Sequence, residues 1–147
     1  MAILVTGGAG FIGANFVLDW LAQSDELVIN LDKLTYAGNL DTLKTLEHDA
    51  RHIFVQGDIA DKTLVDELLK TYQPRAVLNF AAESHVDRSI AGPAEFIQTN
   101  IVGTFNLLES VRAYWQGLPA AEKDTFRFLH VSTDEVYGTL SPTDAPF

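Results

Sequence analysis

Thr6-Gly7-Gly8-Ala9-Gly10-Phe11-Ile12-Gly13 directly follows the apolar run Ala2 to Val5. Gly7, Gly10 and Gly13 give G-x-x-G-x-x-G, and Gly8, Gly10 and Gly13 also satisfy G-x-G-x-x-G. A backbone without side chains can turn tightly there from a strand into a helix. It can also let a pyrophosphate rest on the helix N-terminus. Alone, such a motif is a weak signal. Its place strengthens it, because the run Gly10 to Ala22 then sets Phe11, Ala14, Val17, Leu18 and Leu21 on one helical face. The bland alternative is a tight strand-to-helix turn that holds nothing.

Outward from this turn, apolar and amphipathic runs alternate in the pattern of a parallel sheet. Strands are expected at Ala2 to Val5, Glu26 to Leu31, His52 to Val55, Ala76 to Phe80 and Phe126 to Val131. Further helices are expected at Asn39 to His48, at Asp61 to Tyr72 with Asp61 as N-cap and Leu64, Leu68 and Leu69 inward, and at Pro93 to about Trp115. The fold class is α/β, a Rossmann-like doubly wound parallel sheet. Such a sheet usually has a sixth strand, whereas the tail Ser141 to Phe147, with Pro142 and Pro146, reads as loop. Residues 1–147 are therefore expected to be a partial dinucleotide-binding domain, truncated before its final strands and a substrate domain.

The bulk numbers agree with a globular protein. At 147 residues the chain fits one domain. Hydrophobic content of 47% against 20% charged residues suits an ordered core. A formal net charge of -10 opposes binding to nucleic acid or an anionic membrane. It leaves a nucleotide possible, because helix N-termini and backbone amides hold phosphate without a basic surface. Cysteine is absent, which excludes disulfides and thiolate metal sites. No His, Asp and Glu set has metal-ligand spacing, so no metal is expected. A first strand from Ala2 is expected to leave no room for a signal peptide, and no apolar run approaches the ~18 residues that span a bilayer. A cytoplasmic soluble protein is the expectation.

Candidate ligand residues cluster where the strands end. In an open α/β sheet, ligands bind just outside the carboxyl ends of the strands. Asp32 ends the second strand, 19 positions after Gly13, a spacing suited to accepting hydrogen bonds from an adenosine ribose and rejecting a 2′-phosphate. Lys33 beside it weakens that rejection. Asp58, in Gly57-Asp58-Ile59, either accepts from an adenine amino group or caps a turn. Ala81 and Ala82 let the chain pass close to a cofactor, and Ser84 then reaches a substrate. His85 is expected to be structural and His130 to be packed in the core. After the last strand comes Ser132-Thr133-Asp134-Glu135-Val136-Tyr137-Gly138. Two neighbouring carboxylates can divide acid and base work. Successive strand side chains point to opposite faces, so both can meet one ligand only if the chain bends just after Ser132. Otherwise they are two solvated loop acids.

Together these motifs resemble the extended short-chain dehydrogenases/reductases. More narrowly, the chain is similar to the dTDP-glucose 4,6-dehydratase family, along all 147 residues. Besides the glycine turn, the resemblance rests on Leu31-Asp32-Lys33-Leu34-Thr35-Tyr36-Ala37-Gly38-Asn39-Leu40, on Ala81-Ala82-Glu83-Ser84-His85-Val86-Asp87-Arg88-Ser89 and on the Asp134-Glu135 pair. The pair is the discriminating part. Sister sugar-nucleotide epimerases lack it, and related decarboxylases carry a Ser-Glu version.

The resemblance implies NAD as cofactor and a nucleotide sugar, dTDP-glucose, as substrate. Phe11 and Ile12 would contact the pyrophosphate through their amides. Asp32, Lys33, Leu34 and Thr35 would hold the ribose, and Asp58 with Ile59 the adenine. Phe80, Ala81, Ala82, Glu83, Ser84 and Thr99 would line the nicotinamide side. Ser84 and Thr133 would touch the sugar. Asp134 would be the general acid and Glu135 the general base. Full-length relatives imply a homodimer built partly on the helix near Pro93. One departure stands out. The family's Tyr-x-x-x-Lys motif is absent, since Leu40, Ala76, Leu118 and Ser141 follow Tyr36, Tyr72, Tyr114 and Tyr137 by four. The expectation is a cofactor-binding portion that is inactive, and a poor dimer, by itself. An epimerase, a decarboxylase or a non-catalytic NAD-binding module remain as alternatives.

Overall fold

The computed structural model describes residues 1–146, apart from the side chains of Asp134 and Glu135. Five strands, β1 (Ala2–Thr6), β2 (Leu27–Asp32), β3 (His52–Gln56), β4 (Ala76–Asn79) and β5 (Arg127–His130), form one parallel sheet in the order β3-β2-β1-β4-β5. The chain thus winds outward from β1 to one side, then returns to β1's other flank. Ligand crevices in open α/β sheets lie where the order reverses, here between β1 and β4.

Strand alternation builds the two layers. Ile3 and Val5 face a core with Val28 and with Ala14, Val17 and Leu21 of α1 (Phe11–Gln23). Leu43 and Leu46, from a 3₁₀ segment at Leu40–Leu46, close that layer. Ala2 and Leu4 face the opposite core, with Ile29, Leu31 and Val77. There they meet Val65, Leu68 and Leu69 of α2 (Lys62–Tyr72). The Asp61 carboxylate accepts from the Leu64 amide at 3.1 Å and caps α2, as its sequence position suggests. The helix stops at Gln73, whose φ of +46° is left-handed, just before Pro74.

The sequence locates all five strands within a residue or two. The long helix expected from Pro93 is instead three joined pieces. They are α4 (Pro93–Phe96), a π-helical segment (Ile97–Gly103) and α5 (Thr104–Gly117), with right-handed helical dihedrals through both joins. Two short helices escape the sequence reading, α3 (Val86–Ala91) and α6 (Ala120–Thr125), neither of which buries a residue. Two expectations fail. Phe11 is 85% exposed, because α1 begins at the carboxyl edge of the sheet, where the strand side chains beneath it run out. Leu18, from the same expected face, is half-buried and does pack against the α1 core. His130 is exposed rather than core, because β5 is an edge strand covered on one flank only by β4. Among the described residues no helix is long and apolar enough to cross a membrane.

Leu107 of α5 is fully buried against the α2 side of the sheet. Leu107→Ala is expected to cost about 2–5 kcal/mol in urea unfolding, whereas Asp61→Ala should cost about 1 kcal/mol through the lost cap.

Candidate nucleotide-binding crevice

The loops leaving β1, β2, β3 and β4 converge at the carboxyl edge of the sheet and line a crevice. The glycine turn forms its floor. Gly7 has φ of +71°, and a Cβ there would stand 2.7 Å from the Ala81 Cα. The turn is therefore in backbone contact with the segment after β4. A Cβ on Gly13 would collide with the Gly7 carbonyl oxygen and approach the Gly8 Cα to 2.8 Å. Gly13 permits the packing of α1 onto the turn and does not itself line the crevice. The N-cap of α1 is Gly10, which has no side chain to satisfy the first amides of the helix. Those amides carry partial positive charge and suit an anion.

Asp32 is 8% exposed and already does structural work. Its Oδ2 accepts from the Ala9 amide at 2.8 Å, and its Oδ1 from the Leu34 amide at 2.7 Å. The second bond shapes a turn in which Leu34 takes a left-handed φ of +56°. Each carboxylate oxygen retains acceptor capacity for a further donor. The Asn39 amide donates to the Ala9 carbonyl at 2.9 Å and closes this loop over the glycine turn.

Lys33 reaches across to Asp58, with Nζ 2.9 Å from Oδ2, while Asp58 Oδ1 accepts from the Ala60 amide at 2.8 Å. Asp58 thus caps its own turn, the bland alternative, and also lines the crevice. Burial acts to raise the Asp58 carboxyl, but the Ala60 amide and the Lys33 ammonium outweigh it and hold it below its ordinary value. The hydrogen bond to Asp58 holds the Lys33 ammonium above its ordinary value. Ile59 is 3% exposed beside them, against Gly103.

Opposite, Asn100 clamps the segment after β4. Its Oδ1 accepts from the Glu83 amide and its Nδ2 donates to the Glu83 carbonyl, both at 2.8 Å. Asn106 Nδ2 donates to the Ala60 carbonyl at 2.9 Å. The π segment presents Thr99, 8% exposed, whose Oγ1 is buried at the crevice without a hydrogen-bond partner among the described residues. A buried orphan hydroxyl is costly unless a ligand meets it.

Of the residues singled out in the sequence, Gly7, Gly10, Asp32, Lys33, Thr35, Asp58, Ile59, Phe80, Ala81, Ala82, Glu83 and Thr99 line the crevice. Phe11, Ile12, Gly13, Leu34, Ser84 and Thr133 do not. Phe11 and Ile12 stand at its rim as the first residues of α1, and Ser84 is exposed next to Glu83. His85 meets the Tyr36 ring edge-on at 6.1 Å, and Arg88 stacks on that ring at 3.8 Å. β5 ends at His130, and a 3₁₀ turn spans Asp134–Tyr137, so the chain does bend after the strand. The side chains of Asp134 and Glu135, expected from the resemblance to be acid and base, lie outside the described residues. The sequence reading missed Asn79, Asn100 and Asn106. Only Asn79 left a trace, a polar side chain inside an apolar strand.

Residues 4–147 match the family model described as GDP-mannose 4,6 dehydratase. The dTDP-glucose 4,6-dehydratase of Xanthomonas campestris pv. campestris (strain B100) is 68% identical over 95% of this chain, which spans 40% of that relative's length. Two solved structures of dTDP-glucose 4,6-dehydratases with NAD bound are similar. That from Streptomyces venezuelae is 45% identical, with a TM-score of 0.82 over 99% of this chain and 43% of its own. That from Bacillus anthracis str. Ames is 40% identical, with a TM-score of 0.81 over 100% of this chain and 42% of its own.

Two outcomes follow from the geometry. Gly13→Ala should lower the melting temperature, because the added methyl meets main chain that cannot yield. In Lys33→Met, the Asp58 carboxyl should titrate at higher pH, read by carboxyl ¹³C NMR. A depressed carboxyl stabilises the fold above its unfolded pKa and loses that contribution as pH falls through the folded value. Acid unfolding of Lys33→Met is therefore expected to begin at higher pH than in the parent, and an unshifted Asp58 titration would show the pair to be inert.

Proposed function

This chain belongs to the GDP-mannose 4,6 dehydratase family, and from that premise we propose that it forms the NAD-binding part of a dTDP-glucose 4,6-dehydratase. The observation that carries the reading is one of register. Asn79 at the end of β4 pairs with His130 at the end of β5, so Ala81 to Ser84 and Ser132 to Glu135 leave neighbouring strands at one edge. That edge borders the glycine turn.

The residues present fit NAD. The uncapped amides at Phe11 and Ile12 suit its pyrophosphate. Asp32 with Lys33, Leu34 and Thr35 suits the ribose, through the acceptor capacity that the loop bonds leave over. Asp58 with Ile59 suits the adenine, whose amino group would join Lys33 and Ala60 as a third donor. Phe80, Ala81, Ala82, Glu83 and Ser84 would flank the nicotinamide, and Thr99 offers it the orphan hydroxyl. When bound, NAD would accept hydride from C4 of the sugar and return it to C6.

The chain's own residues would carry the proton steps. A ketone at C4 lets negative charge from C5 delocalise, which makes the C5 proton removable. Glu135 would take that proton. As the C5–C6 double bond forms, the C6–O bond breaks, and Asp134 would protonate the departing hydroxyl to release water. Ser84 and Thr133 would hold the sugar, with Thr133 near the hydroxyl that is first oxidised. The tyrosine that would deprotonate that hydroxyl has no Tyr-x-x-x-Lys motif to supply it here. Turnover is accordingly assigned to the complete protein. Its product would feed rhamnose and related glycan synthesis in the cytoplasm. The complete protein is also read as a homodimer, supported by the exposed stripe Ile97, Ile101, Phe105 and Leu108.

In the complete protein, Glu135→Gln should keep NAD affinity and lose dehydration, with the C5 proton no longer exchanging into solvent. Unchanged turnover would remove Glu135 as the base. Product analysis separates the sister reactions, because of these only a dehydratase releases water from the sugar. NAD binding without any turnover would favour a non-catalytic module.

A further inference from the structure

One rung of the sheet joins Thr6, Asn79 and His130 side by side across β1, β4 and β5. Each stands at the end of its strand, one to three residues before a ligand-bearing segment. Thr6 precedes Gly7, Asn79 precedes Phe80 and Ala81, and His130 precedes Thr133. The side chains are bonded in a row. Asn79 Oδ1 accepts from Thr6 Oγ1 at 2.5 Å and from the Ala81 amide at 3.1 Å. Asn79 Nδ2 lies 2.9 Å from His130 Nδ1. Asn79 and Thr6 are buried, whereas His130 is exposed.

The Ala81 amide can only donate, so it fixes which end of the Asn79 side chain is oxygen. The other end is then a donor, and His130 Nδ1 has to accept. In the neutral imidazole this places the proton on Nε2. We infer that Asn79 is a positioning residue for the proposed dehydration. Its single amide sets the glycine turn, the Ala81–Ser84 segment and, through the Nε2-protonated His130, the Ser132–Glu135 segment in mutual register. The inference rests on the dehydratase reading. The amide touches neither substrate nor cofactor. It holds the two faces between which the sugar and the cofactor have to meet, and a small misplacement of reacting groups is expensive in rate.

The test uses the complete protein, with NAD affinity, kcat and the long-range ¹⁵N–¹H spectrum of His130 as readouts. Asn79→Asp keeps the oxygen that serves Thr6 and Ala81 but replaces the donor facing His130. Its spectrum should show a proton moved onto Nδ1, which re-forms the link with donor and acceptor exchanged, so NAD affinity and kcat should both stay close to the parent's. His130→Leu breaks the link from the β5 side without placing a carboxylate in the core, and kcat should fall by about tenfold, the scale of one lost hydrogen bond. His130→Asn, whose Oδ1 takes the place of Nδ1 as acceptor, should recover most of that rate. Parent-like kcat in His130→Leu would overturn the inference, as would equal losses of kcat, NAD affinity and melting temperature with no rescue by His130→Asn. A parent protein that binds NAD but does not dehydrate dTDP-glucose would refute the dehydratase reading and, with it, the positioning role. The Nε2 tautomer would then stand only as a structural link.

Discussion

The close approach of Gly7 to the Phe80–Ala81 backbone is the constraint on which the ligand edge depends. It exists because β1 and β4 are neighbours in register although most of the chain between them winds off to the other side. No side chain fits between the two segments, so the turn after β1 and the segment after β4 form one continuous wall. Everything else at the edge is arranged around that wall. Asp32 bonds the second loop to Ala9, Lys33 bonds it to Asp58, and Asn100 holds Glu83 from the helix side. Loops that carry ligands are ordinarily the mobile parts of a fold. Here each is tied to a neighbour by a hydrogen bond that does not involve regular secondary structure.

These ties differ in kind. The Asp32 and Asn100 bonds engage main-chain amides and carbonyls, so their strength does not depend on a second side chain being in place. The Lys33–Asp58 pair engages two ionisable groups that are partly exposed, so it weakens with salt and with acid. The Lys33–Asp58 end of the crevice, proposed for the adenine, is thus the part of the edge most sensitive to solution conditions. The glycine floor is the least sensitive, because it is held by steric fit between backbones.

Much of this was readable in the sequence because backbone demands leave residue signatures. Three glycines at fixed spacing after an apolar run announce a turn of one geometry, and strand ends betray themselves when apolar runs stop. The Asp61 cap follows from the same logic. What escaped was of two sorts. Asn100 and Asn106 act on main-chain groups far away in sequence, and such partners leave no mark in local spacing. α3 and α6 bury nothing, so no apolar periodicity reveals them. The errors at Phe11 and His130 share a cause. Periodicity gives the direction of a side chain but not whether anything lies in that direction, and both residues stand where the sheet ends.

The π segment at Ile97–Gly103 has a consequence for how this helix tolerates length changes. A π turn is a helix carrying one residue more than its hydrogen-bond ladder needs. Removing a residue from the segment would let the ladder revert to ordinary α spacing. The helix on either side would keep its phase, and only the bulge that presents Thr99 and Asn100 to the crevice would be lost. Thr99 would swing from the crevice, and the Asn100 clamp on Glu83 would lose its aim. The same cut within α5 would instead misalign Leu107 and Val111 against the sheet. A single-codon deletion therefore separates two functions of one continuous helix. In the π segment it would disable the crevice and spare the core, and one turn later it would do the reverse.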